Sequence, residues 1–230
     1  MALALTRAGW ECDAMLGREH DRSGAAAGVD LLLIATPDDV VTEVAAIVDV
    51  DEATTVAHLS GALSLKALGP HPRRASIHPL VPLPEPEGGA RRLLSGAWFA
   101  VAGEPGASED LAIEVVTALG GRRLVIPEDS RVIYHAAACI AANHLVALMG
   151  QVERLAATID LPLPAFLALA RAALDDTADF GPAGALTGPA ARGDMATIGR
   201  HRAALANLAP DELAAYDAMV EQAIRLAREA

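Results

Sequence analysis

The chain has 230 residues, enough for one large domain or two small ones. Its formal net charge of -12 leaves no electrostatic footprint for nucleic acid or an anionic membrane surface. Hydrophobic residues make up 53% of it but aromatics only 3%, so a core must be built from Ala, Leu, Val and Ile.

Residues 2–9 read as a helix ending at Gly9, and 10–17 as a short strand. Leu31 to Ala35 is a continuous apolar run stopped by Thr36-Pro37-Asp38, which suits a buried parallel strand followed by a helix cap. A helix is predicted from Asp38 to Val48 and strands at Thr54–Leu59 and Ser76–His78. The stretch 79–89, rich in proline, reads as a stiff surface connector. Strands at Trp98–Ala102 and Leu124–Ile126 flank a helix over Ser108–Leu119. Strands alternating with helices predict an α/β fold with a doubly wound parallel sheet.

After Pro127 the pattern becomes helical, and no further strand is expected. Helices are predicted from Asp129 or Ser130 to about Ile159, from Pro164 to about Asp176, over 195–207 and over 211–228. A loop rich in Gly and Pro fills 180–194. The domain boundary falls near residue 127: an α/β domain over 1–127, an all-helical one over 128–230.

Several chemistries are absent. There is no G-x-S-x-G elbow, no H-E-x-x-H and no Walker loop. Cys12 and Cys139 are too isolated to make a disulfide framework or a zinc knuckle, and no metal site is expected. The opening residues lack the basic and apolar regions of a secretion signal. The apolar run 29–36, interrupted by Asp30, is far shorter than the roughly 20 residues that span a bilayer. These features predict a cytoplasmic chain without membrane or nucleic-acid partners.

The ordered segments ATPDDVV (35–41), HLSGALS (58–64), IHPL (77–80), GAWFAV (96–101), YHAAACIAANHLVAL (134–148) and LTGPAARGD (186–194) carry a resemblance. Together they resemble Rossmann-like oxidoreductases whose helical second half is a domain of unknown function. That family is similar in architecture to pyrroline carboxylate reductase and phosphogluconate-type dehydrogenases. The resemblance implies a nicotinamide dinucleotide, a small-molecule substrate and a homodimer formed through the helical domain. Against that pattern the chain opens at the first helix: no glycine precedes Gly9, so the first strand and the G-x-G-x-x-G loop are absent from it. A late start, rather than a real truncation, is the expected reason, because a central strand lost from a sheet strands buried backbone groups.

On this frame Arg18, at the end of the 10–17 strand, would face the adenosine ribose and favour NADP, with NAD still possible; otherwise it is a surface arginine. Thr36, Pro37, Asp38, Ser60 and Gly61 close strands at the edge where cofactors bind, and Asp38 or Thr36 also suits a helix cap. His78, and less strongly His58, are strand-end histidines facing the same edge. His135, Cys139 and Asn143 share a helical face at spacings of four. The related dehydrogenases resemble Lys-x-x-x-Asn here, whereas this helix reads Cys139-x-x-x-Asn143 and Lys66 is the chain's only lysine. His135 is therefore the expected proton donor, Asn143 an orienting group and His78 a third catalytic candidate; all three also suit packing roles. Thr187 and Arg192 are candidate substrate contacts, Arg192 as a carboxylate clamp, or else a helix connector with Asp194 capping the next helix. His201 faces the same loop. Two functions follow: an NADP-linked oxidoreductase acting on a small carbonyl or imine, or a non-catalytic dimeric ligand sensor that retains the fold.

Overall fold

In a computed structural model, which describes residues 1–229, five strands form one sheet: β1 (Leu31–Ile34), β2 (Thr55–His58), β3 (Arg74–Pro79), β4 (Trp98–Gly103) and β5 (Arg122–Leu124). They lie side by side in chain order. β1, β2 and β3 are parallel, as the alternating pattern predicts. The β3–β4 pair is antiparallel, which corrects the expectation of a wholly parallel sheet. Pro79 at the end of β3 pairs with Phe99 at the start of β4, so the chain returns from the same end instead of crossing over. β5 then runs parallel to β4.

The connection from β3 to β4 is more than a loop. It holds a helix, α3 (Pro86–Leu93), where the sequence reads as a connector. Glu85 caps it by accepting from the Glu87 amide at 2.9 Å, and Pro86 supplies a preset first-turn φ. Its buried face, Ala90 and Leu93, packs with α1 (Ala2–Arg7). Arg7 reaches across to Glu87 at 2.8 Å.

One sheet face buries Ala57, Ala75, Ile77, Phe99 and Val101 against α1, α3 and α4 (Ala107–Ala118). A smaller cluster of Ile34, Val41, Ala45, Val56 and Leu68 places α2 (Val41–Ile47) on the sheet. Leu, Val, Ile and Ala supply nearly all of this core, with Phe99 wedged beside Gly121. A methyl on Gly121 would come within 2.5 Å of the Phe99 ring.

The 10–17 strand does not form. Residues 11–16 have no regular structure, and Trp10 packs on the core instead. A strand exists through its ladder, and this segment has no partner among the described residues. β5 sits two residues earlier than read, drawn there by the Arg122 amide donating to the Ala97 carbonyl at 2.8 Å.

The remainder is helical: α5 (Arg131–Cys139), a π-helical segment (Ile140–His144), α6 (Leu145–Ala157), α7 (Leu163–Ala185), α8 (Gly188–Ala191), α9 (Met195–Leu208) and α10 (Leu213–Ala227). α7 runs well past Asp176 and breaks only at Gly181, where φ is 73° and Pro182 follows. The chain packs as two units, Met1–Ala142 and Asn143–Ala230. The division falls later than residue 127 because α5 is tied into the sheet through Arg131 and Tyr134.

By length and composition the stretch Glu128–Ala157, with mean hydropathy 1.6 in its most apolar window, is able to cross a membrane. Counting uninterrupted apolar runs misses it, since Tyr134, His135 and Asn143 punctuate it. In the second unit the described residues bury only two apolar side chains, Ala156 and Ile198. Polar links hold its helices: Arg202 pairs with Asp217 at 2.8 and 3.0 Å, and Gln151 donates to the Glu212 carbonyl at 2.9 Å.

Candidate active site

The carboxyl ends of β1, β2 and β3 lie along one edge of the sheet, because these strands are parallel. Pro37 stops β1 by removing a ladder donor and holding Thr36 extended. Thr36 Oγ1 is left buried with no partner. Asp38 accepts from the Ser60 hydroxyl at 2.7 Å. Ser60 Oγ in turn accepts from the Ala62 and Leu63 amides at 3.1 and 3.0 Å, which turns the chain sharply after β2. Thr36, Asp38, Ser60 and Gly61 therefore form one shelf.

Gly61 is the floor of the cluster. A methyl there would stand 2.8 Å from His135 Cδ2, 2.8 Å from His78 Cε1 and 2.9 Å from His78 Nε2. Two imidazoles thus close on one bare α-carbon. Their ring centroids are 5.9 Å apart and nearly perpendicular. His78 reaches this place from the end of β3, and His135 from α5. Tyr134, the neighbour of His135, places its hydroxyl 2.8 Å from His78 Nδ1. Cys139 Sγ lies 3.9 Å from His135 Nε2.

Burial pushes the His78 pKa down to about 4, helped by His135 and Arg131 nearby. His58, fully buried, is pushed down to about 4 by burial and then by Arg131. Its Nδ1 accepts from the Ser60 amide at 3.2 Å. It holds the turn from beneath rather than facing a cleft. Burial raises the Tyr134 phenol above its ordinary value.

Arg131 is the residue that the sequence reading missed. Its side chain is 2% exposed, and its Nη2 donates to the Ser76 hydroxyl at 2.6 Å and the Ser60 carbonyl at 3.2 Å. Its spacing, three before Tyr134 and four before His135, is the one sequence signal that places it on their face.

The other candidates fall elsewhere. Arg18 is exposed in a turn and not at a strand end, which corrects its expected placement; without a 10–17 strand there is no end for it to occupy. Asn143 is exposed and opens the second unit, inside the π-helical segment. One extra residue in that turn changes the helical phase that put Asn143 on the His135–Cys139 face. In the second unit Thr187 lines a groove of about 310 Å³ with Ile198, His201 and Tyr216. Arg192 is exposed at the end of α8, and Asp194 caps α9 by accepting from the Thr197 amide at 2.9 Å. A wider cavity of about 710 Å³ lies at the opposite edge of the sheet, by Gly9, Asp30, Thr55 and Arg73, away from every group above. No group of three or more metal-ligating side chains occurs among the described residues.

This architecture, a Rossmann-like sheet followed by a helical region, is oxidoreductase-like in fold. The chain belongs to the family described as a domain of unknown function (DUF2520), whose model matches residues 97–223. Protein TM1727 from Thermotoga maritima is similar at 25% identity and a TM-score of 0.70, covering 86% of this chain and 78% of its own. A Bacteroides fragilis protein, BF3122, provisionally named as an NADP oxidoreductase, superposes with a TM-score of 0.80 at 18% identity, over 97% and 92% of the two chains. Plasmodium falciparum pyrroline carboxylate reductase, solved with NADP bound, gives a TM-score of 0.58 at 10% identity, again over 97% and 92%. No curated protein matches the chain.

Proposed function

We propose that this protein is a nicotinamide-dinucleotide-linked reductase or dehydrogenase, preferring NADP, that acts on a small carbonyl or imine. The observation that carries this reading is the meeting of His78, Tyr134 and His135 over Gly61, at the edge where open α/β sheets take their ligands. The shelf fits the nicotinamide-ribose end of a dinucleotide: Thr36 Oγ1 is an unused buried hydroxyl, and Gly61 leaves its backbone bare. A glycine turn to grip the diphosphate is not in the sequence, so the fit is argued for that end alone. When bound, the dinucleotide supplies or receives a hydride.

The chain's own residues do the rest. His135 holds the proton exchanged with the substrate oxygen or nitrogen. His78 stays neutral near pH 7, and with Tyr134 donating to its Nδ1 its single N–H sits on Nε2, facing the Gly61 floor. That N–H orients the carbonyl or imine. Asn143, Thr187 and Arg192 remain proposed substrate contacts. The second unit buries almost no apolar surface of its own, which supports a homodimer in which a second copy covers Leu169, Leu174 and Phe180. The absence of a lysine from the α5–α6 stretch supports the second reading, a dimeric sensor that binds without turnover.

Titration with NADPH and NADH, followed by a carbonyl and imine panel, decides between them. NADPH binding tighter than NADH is expected. Turnover falling at least about 100-fold in His135→Ala, with cofactor affinity kept, supports catalysis. Binding without turnover selects the sensor, and no dinucleotide binding overturns both.

A further inference from the structure

Arg131 carries a positive charge into the interior with only neutral partners. Its Nη2 is shared by the Ser60 carbonyl and the Ser76 hydroxyl. Its Nε is closed off from solvent and has no partner. No carboxylate pairs with it among the described residues. Asp38, the acid of the neighbouring shelf, is engaged by Ser60. Glu128, three residues earlier, acts on the charge from a distance but does not pair with it. A buried cation without a paired counter-charge is costly, and two hydrogen bonds to neutral groups do not offset it. A neutral side chain would join β3 to the Ser60 turn at less expense.

The charge is also placed where a ligand would use it. Arg131 precedes Tyr134 by three residues and His135 by four, so it stands about one turn, ~5 Å, along the same helical face. The Arg131 charge also acts on His78, helping to lower its pKa, so the guanidinium stands within electrostatic reach of the histidine pair.

We propose that Arg131 is the anchor for a substrate carboxylate, and hence that the substrate is a small oxo or imino acid. This deepens the reductase reading and rests on it. Arg131 takes the clamping part expected of Arg192. The carboxylate is held unchanged. A bound nicotinamide dinucleotide would supply the hydride for the neighbouring carbon, and His135 would give the proton to its oxygen or nitrogen. The planar guanidinium suits this, because its remaining N–H groups match the two oxygens of a carboxylate.

The test is calorimetric titration of the whole chain with oxalate, and separately with inorganic phosphate, without dinucleotide. Oxalate is expected to bind and to raise the wild-type Tm, and phosphate to bind more weakly. Arg131→Lys keeps the charge but loses the fork, and should weaken oxalate at least tenfold at unchanged helicity. Arg131→Met should abolish oxalate binding, with helicity and cooperative unfolding retained, although the lost hydrogen bonds to Ser76 and Ser60 lower its Tm. Ser76→Ala, which leaves the guanidinium in place, should still bind oxalate. The proposal is overturned if Arg131→Lys binds oxalate like wild type, if Arg131→Met still binds oxalate, or if phosphate is the tighter ligand. Because no dinucleotide is present, oxalate binding that survives while NADPH binding fails sinks the reductase reading and leaves the anion site standing.

Discussion

The two packing units answer the same sequence composition in opposite ways. The first turns its Ala, Leu, Val and Ile into a closed core around the sheet, with Ile77, Leu93, Phe99 and Val115 wholly out of water. The second leaves Leu169, Leu174, Phe180 and Met219 at least half exposed and ties its helices with ion pairs and side-chain hydrogen bonds. Exposed ion pairs contribute little to stability. Burial of apolar surface is what offsets chain entropy. The contrast teaches that high hydrophobic content does not by itself make a self-sufficient domain. A sheet collects apolar residues from distant segments, whereas a few helices need another surface to cover theirs.

The strongest way to break this comparison is dilution. Unfolding followed by helical circular dichroism should lose cooperativity, with Tm falling as concentration drops, if a second copy covers the helices. A melt independent of concentration over a hundredfold range would contradict the proposed dimer. Next, Phe99→Ala should cost about 3–5 kcal/mol in denaturant unfolding, as for a fully enclosed aromatic. Phe180→Ala, 67% exposed in a lone chain, should stay within about 0.5 kcal/mol there, yet weaken self-association measurably by sedimentation.

Acidity sharpens the same contrast. His58 and His78 titrate near 4 in the folded first unit but near 6.5 once unfolded. The unfolded chain therefore binds more protons between those values. The stability they support is complete above about pH 6.5 and is lost as pH falls toward 4. The slope reaches up to about 2.7 kcal/mol per pH unit if both count fully, and less because His78 is partly screened by solvent. His58→Gln should flatten that slope, read from denaturant midpoints across pH 4 to 8. The smallest expected effect is Asp194→Ala, which removes the cap of α9 and should lower Tm slightly at neutral pH.

Much of the site was legible from strand ends. Thr36-Pro37-Asp38, Ser60-Gly61 and His78-Pro79 each join an apolar run to a breaker, and the structure sets the three along one edge. Arg131 was not legible, since an arginine at a helix start ordinarily points to water. Only the turn after β2 and Ser76 on β3, distant in sequence, enclose it. The helix of 86–93 hid behind its prolines, because its cap is a glutamate before a proline. The strand expected at 10–17 and the strand-end role of Arg18 failed together, since both needed a ladder partner that the described residues do not offer.

The sequence by itself determined the strands from β1 onward, the change to an all-helical second half and the residues that close β1, β2 and β3, because these follow from local periodicity and from proline and glycine. Only the tertiary structure decided that β4 runs backward against β3, that two histidines converge on one glycine and that Arg131 is buried without an ion-pair partner. Those depend on which distant segments meet, and a hydrogen-bond ladder or a desolvated charge belongs to the meeting, not to either segment alone.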